Sequence, residues 1–317
     1  MLRGRGDQTP RRNSMGTSLK YIRHQGPVLR ALGRTAVEVL RQQVGRPSPE
    51  RGIPGPELFE TLPARAPDLV RAYIRSVGGA PDAYAGELPP HFFSQWTFPL
   101  LSKTMVGLPY PLGRALNGGC RLVVNGRIAA DEPLEVRAQL AGVEDDGRRA
   151  ILHQRVVTGS RSAPEALEID FYPIIPLNRD KRDRPKKGDR PKKDKPKVPS
   201  DARELERWRL TRRDALDFAI LTGDFNPIHW IPLAARASGF RSTILHGFAS
   251  MGRAVEGLAR ALWGGDPHRL AELEVRFRRP LVLPADVGLY VDDAGGVYVG
   301  DSPGGHVYLT GSFRAAD

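Results

Sequence analysis

Residues 221–229 read LTGDFNPIH and place a carboxylate, a carboxamide and an imidazole close together in an apolar frame. A glycine followed by an acid often ends a helix, and Pro227 biases Asn226 toward an extended backbone. The segment is therefore predicted to be a tight loop that follows a helix. Asp224, Asn226 and His229 are its candidate catalytic residues.

Two interpretations of this loop are open. Burial raises the pKa of a carboxylate and makes it a base near neutral pH, and a neighbouring imidazole can hold the opposite proton. Asp224 and His229 would then activate a water molecule. In the structural alternative, Asp224 and Asn226 are turn residues that bond to nearby backbone groups, and His229 is packed or caps the loop.

A second apolar segment, TILHGFASMG at residues 243–252, is predicted to be a loop that enters a long apolar helix. Free N–H groups at a helix start bind an oxyanion, and a glycine lets a substrate carbonyl come close. Gly247, His246 and Ser250 are therefore candidate oxyanion or substrate-binding residues. The alternative is a plain buried helix that begins near Gly247, with His246 packed beside it.

Both halves of the chain share one plan. Helical spacing of apolar residues predicts helices over 67–79 and 210–223, and Thr211 is a predicted N-cap. Runs of β-forming residues separated by Gly, Pro and Asp then predict four strands in each half. The predicted strands are 119–125, 134–140, 150–158 and 166–175, followed by 273–277, 286–292, 296–299 and 306–313.

The shared plan indicates an internal repeat. Residues 73–78 align with 218–223, and residues 116–118 align with 245–247. Gly79 and Tyr84 then stand where the second half has its acid and its histidine. Acid–base chemistry is therefore predicted for the second half alone.

The formal charge of +12 is concentrated in two stretches. Residues 1–34 and 178–200 each carry a net charge of +7, which leaves the remainder at about −2. The second stretch is rich in Lys and Pro and contains no aromatic residue, so it is predicted to be an extended, solvated linker. Without aromatics to stack on bases, it does not favour nucleic-acid binding. An acidic carrier protein or a membrane surface are further partners for such a stretch.

The rest of the composition predicts a cytoplasmic protein. A single cysteine, Cys120, cannot form an internal disulfide, and no apolar run is long enough to span a membrane. The first residues lack the apolar stretch of a secretory signal, although their many arginines also fit an organelle transit peptide.

Phe218, residues 221–229 and residues 245–247 together resemble the signature of the MaoC-like acyl dehydratases, which include the (R)-specific enoyl-CoA hydratases of type 2. The resemblance implies an α+β fold, the double hotdog, in which two antiparallel sheets each wrap a central helix and the first half is degenerate. The expected division is an N-terminal basic tail and helical extension (1–60), a degenerate hotdog (61–177), the linker (178–200) and a catalytic hotdog (201–317).

The resemblance also implies a function. Asp224 and His229 would activate water, Asn226 would orient them, and the Gly247 N–H would polarise a thioester carbonyl. The chain would be a hydro-lyase of fatty-acid metabolism that interconverts trans-2-enoyl and (R)-3-hydroxyacyl thioesters, with acyl-CoA or acyl-carrier protein as partner and no metal or redox cofactor. Some members carry a serine where this chain has Val255, and Ser250 is the nearer hydroxyl in this chain.

Several alternatives stay open. The hotdog fold also hosts thioesterases, and a chain can keep the fold as a scaffold that only binds acyl thioesters. The apolar stretch at residues 91–99 is either the lining of an acyl tunnel supplied by the first half or ordinary core. Either a monomer or a homodimer is compatible with two hotdog units in one chain.

Overall fold

The computed structural model describes residues 17–43, 52–177 and 196–316, and its strands form one antiparallel sheet. The first half supplies β1 (Leu58–Leu62), β2 (Leu116–Val124), β3 (Leu134–Asp145), β4 (Arg149–Gly159) and β5 (Leu167–Pro176). The second half supplies β6 (Arg203–Leu210), β7 (Leu270–Phe277), β8 (Ala285–Val291), β9 (Gly296–Gly300) and β10 (Val307–Ala315). All eight predicted strands are confirmed, with their bounds shifted by a few residues.

Period-two alternation places one face of each strand in the core. In β3, the side chains of Leu134, Val136, Ala138 and Leu140 are buried, and the residues between them are partly or fully exposed. A strand that alternates in this way buries one face and leaves the other in contact with solvent. The sheet can therefore cover a helix with its apolar face.

The two halves join where β2 pairs with β7, within the strand order β1-β3-β4-β5-β2-β7-β10-β9-β8-β6. Gly119 lies at this junction with φ +141°, next to an irregularity in the β2–β5 register. A side chain on Gly119 would meet the Val275 carbonyl at 2.1 Å. Glycine is therefore needed at the point where the two sheets become one.

Six α-helices accompany the sheet in the described residues. They are α1 (Gly26–Gln43), α2 (Pro67–Ser76), α3 (Ser94–Met105), α4 (Arg212–Thr222), α5 (Pro232–Ala237) and α6 (Gly247–Leu262). Helix α3 packs on β1, β3 and β4, and α6 packs on β6, β7 and β10. Each half is thus a sheet around a central helix, and the double hotdog predicted from the resemblance is confirmed. The long apolar helix predicted to begin near Gly247 is confirmed as α6.

Helix α4 begins and ends as its sequence predicts. Thr211 and Asp214 form a capping box, and Gly223 ends the helix in the left-handed conformation with φ +83°. A partly buried ion pair of 2.6 Å between Arg253 and Asp214 then joins α6 to α4. The first turn of α4 is therefore tied to the central helix of its own half.

One part of the predicted repeat is wrong. Residues 116–118 begin strand β2, whereas Gly247 begins helix α6, so the two segments are not equivalent. Their short shared pattern, a leucine and a polar residue before glycine, has different causes: a strand irregularity near Gly119 and a helix start at Gly247. The first-half counterpart of α6 is α3, which contains most of the stretch predicted as tunnel lining.

The expected domain limits need correction at two points. The limit between residues 60 and 61 falls inside β1, which pairs with β3. Most of the predicted linker lies outside the described residues, but Val198 near its end is buried in a small cluster with Ala202, Tyr290 and Val307.

Strands β1 and β6 escaped prediction because they are the outer edges of the sheet, where charged and exposed residues interrupt the alternation.

Before β1, a 3₁₀ helix (Leu19–Gln25) leads into α1, which packs on α3. The basic tail predicted before it lies outside the described residues. No helix in the described parts of the chain combines the length and apolar character that crossing a membrane requires.

Candidate active site

The loop after α4 is held by short-range hydrogen bonds. Its end forms a 3₁₀ turn, Pro227–His229, and the Asn226 side chain accepts a hydrogen bond from the Ile228 N–H at 3.4 Å. The Asp224 carboxylate accepts one from the Asn226 N–H, also at 3.4 Å. Asn226 is exposed, so its contribution is to shape the turn that carries His229.

His229 is buried, and its ring is oriented by one hydrogen bond. The Nδ1 atom lies 2.9 Å from the carbonyl oxygen of Ile244. Because a carbonyl only accepts, Nδ1 carries the proton, and Nε2 keeps its lone pair when the ring is neutral. This tautomer makes Nε2 of His229 a proton acceptor.

His246 lies face to face with His229, with ring centroids 3.6 Å apart and an angle of 24° between the planes. Its Nε2 donates to the backbone carbonyl of Asp224 at 3.0 Å and lies 3.9 Å from the Asp224 carboxylate. Burial, assisted by the neighbouring His229, lowers the pKa of His246 to about 3 against a partial opposing effect of Asp224. His246 is therefore neutral, and its one N–H is committed to Asp224. That bonding supports a positioning role rather than the predicted role in binding an oxyanion.

Gly247 is the first residue of α6, directly after His246. A Cβ at this position would meet the Phe277 ring at 2.8 Å, and no acceptor within the described residues bonds to the Gly247 N–H. The N–H is therefore available at a helix start, as an oxyanion site requires. Aromatic rings surround this helix start: Phe248 contacts Phe93, Phe171 and Phe277.

Ser250 lies one turn further along α6 and is buried. Its backbone N–H donates to the His246 carbonyl at 3.3 Å. No hydrogen bond joins its hydroxyl to Asp224 or His229 within the described ranges. The structure thus brings together Asp224, His229, His246 and Gly247, with Asn226 and Ser250 at the margin.

The side chains of Asp224, His229 and His246 place one donor atom each within 4.8 Å of the others. They are the one such trio of potential metal ligands in the described part of the chain. Imidazole nitrogens and a carboxylate suit a transition metal, and they equally suit a water molecule that needs acceptors for its protons. The arrangement can therefore hold and deprotonate water beside a free backbone N–H.

Comparisons with known proteins agree with this geometry. Residues 194–302 match the family model described as MaoC like domain. This part of the chain is a MaoC-like domain. The chain is also similar to 3-hydroxyacyl-thioester dehydratase X of Mycobacterium tuberculosis, at 26% identity over 240 residues, which are 73% of this chain and 80% of that protein.

Two further similarities have lower sequence identity. "Probable enoyl-CoA hydratase 2" of Dictyostelium discoideum is 22% identical over 191 residues, which are 59% of this chain and 64% of that protein. The crystal structure of HtdX from Mycobacterium tuberculosis matches with a TM-score of 0.64 and 21% identity, and the match covers 82% of this chain and all of that chain. At that identity the structural likeness supports the fold alone.

In the first half, the position equivalent to that of Asp224 is filled by a side chain from the second half. Gly78, at the end of α2, is left-handed like Gly223, and Gly79 and Tyr84 follow where the MaoC-like domain has Asp224 and His229. A side chain on Gly79 would meet the carboxyl group of Glu256, which α6 inserts there, at 2.3 Å. The place of an acid in the first half is thus filled from the second.

Glu256 is buried in a network of first-half side chains. Tyr84 donates to its Oε1 at 2.8 Å, His91 Nε2 lies 3.2 Å from the same oxygen, and Tyr73 Oη lies 3.0 Å from His91 Nδ1. Burial, reinforced by Glu256, holds the pKa values of Tyr73 and Tyr84 well above their usual range. The network joins the halves and leaves this second position without an exposed acid or base.

Residues 91–99, predicted as the lining of an acyl tunnel, lie in three different surroundings. His91 belongs to the Glu256 network, whereas Phe93 contacts Phe248 beside Gly247. Trp96 and Pro99 border a largely apolar cavity of about 240 Å³, which Pro27 and Leu62 also line. The stretch is therefore partly core and partly cavity wall.

The low pKa of His246 predicts a pH-dependent stability. The unfolded chain binds a proton at His246 near pH 6.5, but the folded chain does so only near pH 3. This contribution to stability is complete above pH 6.5 and declines as the pH falls toward 3, by about 2 kcal/mol between pH 7 and pH 5. Urea unfolding of the wild type and of His246→Phe at both pH values should show the smaller decline in the variant. Equal declines would contradict the prediction.

Proposed function

We propose that this protein is a hydro-lyase that reversibly adds water to trans-2-enoyl thioesters and forms (R)-3-hydroxyacyl thioesters in fatty-acid metabolism. The observation that carries the proposal is that Asp224, His229 and His246 place one ligand atom each within 4.8 Å of the others, and that His246 directly precedes Gly247, the first residue of α6. The names of the two relatives, a 3-hydroxyacyl-thioester dehydratase and an enoyl-CoA hydratase, support the same reaction class.

Water activation is assigned to Asp224 and His229. A water molecule between them donates one O–H to the carboxylate and the other to Nε2 of His229, which accepts its proton as oxygen attacks C3 of the enoyl group. The C2=C3 π bond breaks, and its electrons move toward the thioester carbonyl. The proton held by the pair then passes to C2, so that H and OH have been added and the pair regains its starting state.

We assign to the Gly247 N–H the stabilisation of the negative charge that develops on the thioester oxygen. Its N–H lies at the start of α6, where the helix dipole also favours negative charge. His246 holds the backbone of Asp224 through its Nε2 and supports the His229 ring by stacking. Hydration changes no net oxidation state, so the proposed reaction requires no redox cofactor.

The acyl group of the proposed substrate is carried by CoA or by acyl-carrier protein. We also propose that the protein is cytoplasmic. All four groups of the site come from one half of one chain, so a second copy is not needed to assemble them. A monomer and a homodimer are both compatible with the proposed activity.

The direct test is hydration of crotonyl-CoA and of a longer trans-2-enoyl-CoA, followed by the loss of the conjugated enoyl absorbance. We expect hydration by the wild type that persists in EDTA, with the (R) product identified by chiral chromatography. Release of free thiol without hydration would instead identify a thioesterase. Binding without either reaction, with CoA and acyl-carrier-protein substrates alike, would identify a scaffold and contradict the proposal.

A further inference from the structure

The N-terminal segment reaches the end of helix α4, although it lies nearly 200 residues away in sequence. Gln25 is fully buried, and its Nε2 donates to the carbonyl oxygens of Ile220 at 3.2 Å and Leu221 at 2.8 Å. The last carbonyls of a helix have no partner within the helix, and burying them unpaired is costly. Gln25 therefore supplies the hydrogen bonds that the C-terminus of α4 lacks.

The same segment packs against the glycine that precedes Asp224. A side chain on Gly223 would lie 2.8 Å from Cβ of Val28 and 3.1 Å from Oε1 of Gln25. Val28 is itself buried. The backbone from which Asp224 projects is thus enclosed by the N-terminal segment on one side and bonded to His246 on the other.

Gln25 is in turn oriented by the first half. Gln95 on α3 donates to Oε1 of Gln25 at 3.3 Å, and Arg65 donates to Oε1 of Gln95 at 3.1 Å. Gln95 is buried like Gln25. This chain of amides fixes which end of the Gln25 side chain faces α4, so the donor rather than the acceptor meets the carbonyls.

We propose that Gln25 is a positioning residue, which fixes the end of α4 and thereby the place of the Asp224 carboxylate relative to His229. The inference rests on the proposed function for its kinetic consequence, but the geometry itself is independent of the reaction. A displacement of about 1 Å in a catalytic group can cost about 100-fold in rate. Removing the Gln25 amide, which lies outside the catalytic half, is therefore expected to lower the catalytic rate.

The test compares Gln25→Met with Gln139→Met. Methionine keeps the length of the side chain and removes the amide. Gln139, on β3 beside the edge strand β1 of the first half, donates a bond of 2.8 Å to the Gly55 carbonyl. We expect kcat of Gln25→Met to fall by about 10- to 100-fold while KM changes by less than about threefold. For Gln139→Met we expect kcat within about twofold of the wild type.

A second readout does not depend on activity. The ring ¹⁵N signals of His229 and His246 should shift in Gln25→Met and remain unchanged in Gln139→Met, because only the first variant releases the Asp224 backbone. An inactive wild type would refute the proposed function, and the histidine signals would still decide the role of Gln25. Unchanged signals, or a loss of thermal stability with kcat preserved in the folded protein, would overturn the inference.

Should Gln25→Met fail to fold, Gln95→Met takes its place. That variant removes the bond that orients Gln25 but leaves the Gln25 amide beside Ile220 and Leu221. We expect the histidine signals to shift in the same direction and kcat to fall by about 3- to 10-fold. Wild-type signals and kcat in this variant would overturn the inference.

Discussion

Replacing Asp224 by asparagine is expected to lower kcat/KM for enoyl-thioester hydration by about 10³-fold or more, in the range that general acid–base groups contribute. The substitution keeps the size of the side chain and removes the carboxylate that accepts one O–H of the attacking water. Because the amide can still occupy the turn, we expect the thermal midpoint of unfolding to stay within a few degrees of the wild type. Initial rates of crotonyl-CoA hydration and a melting curve measure the two quantities.

Asp82→Asn is the matched control, because the Asp82 side chain is 97% exposed and lies in the first half. We expect wild-type kinetics for this control. An Asp224→Asn variant that retains more than about a tenth of the activity would place the carboxylate outside the proton-transfer step.

Replacing His229 by alanine is expected to lower kcat by about 10²- to 10⁴-fold, with a much smaller effect on KM. The substitution removes Nε2 and also the bond that His229 donates to the Ile244 carbonyl at 2.9 Å. The unpaired carbonyl should lower the free energy of unfolding by about 1–3 kcal/mol. Stopped-flow hydration and urea unfolding separate the two effects.

His306→Ala serves as the control for His229→Ala, since His306 is exposed and its side chain pairs, among the described residues, with Asp301 alone. The double variant Asp224→Asn with His229→Ala adds a further test. If the two residues act on one water molecule, the double variant should lose little more activity than the worse single variant. Losses that multiply would indicate that the two groups act in separate steps.

The filling of the Gly79 position by Glu256 explains why only one of the two similar halves carries a candidate site. An acid at Gly79 would occupy the space of the Glu256 carboxyl group, and Tyr84 uses its hydroxyl to bind that same carboxylate. A buried carboxylate requires such hydrogen bonds, since an unpaired buried charge is costly. The loss of chemistry in the first half therefore accompanies a gain in contact between the halves.

Much of the fold was predictable from local sequence. Alternation in β3, the capping box of α4 and the apolar periodicity of α6 are short-range patterns, and the structure contains each element. The edge strands β1 and β6 escaped because solvent on one side weakens their alternation. Helix α3 escaped because it is buried on nearly all sides, mixes Ser, Thr and Gln with its apolar residues and contains Pro99, so it lacks the apolar stripe that marks a surface helix.

The sequence by itself determined the chemistry available at the site, because Asp224, Asn226 and His229 lie in one short loop and Gly247 follows His246 directly. Only the tertiary structure decided the protonation of His246 and the insertion of Glu256 at Gly79. It alone also decided the contact of Gln25 with the end of α4. The reason is physical: burial and hydrogen bonds between residues far apart in sequence set these properties, and no local pattern encodes which distant side chain fills a given space.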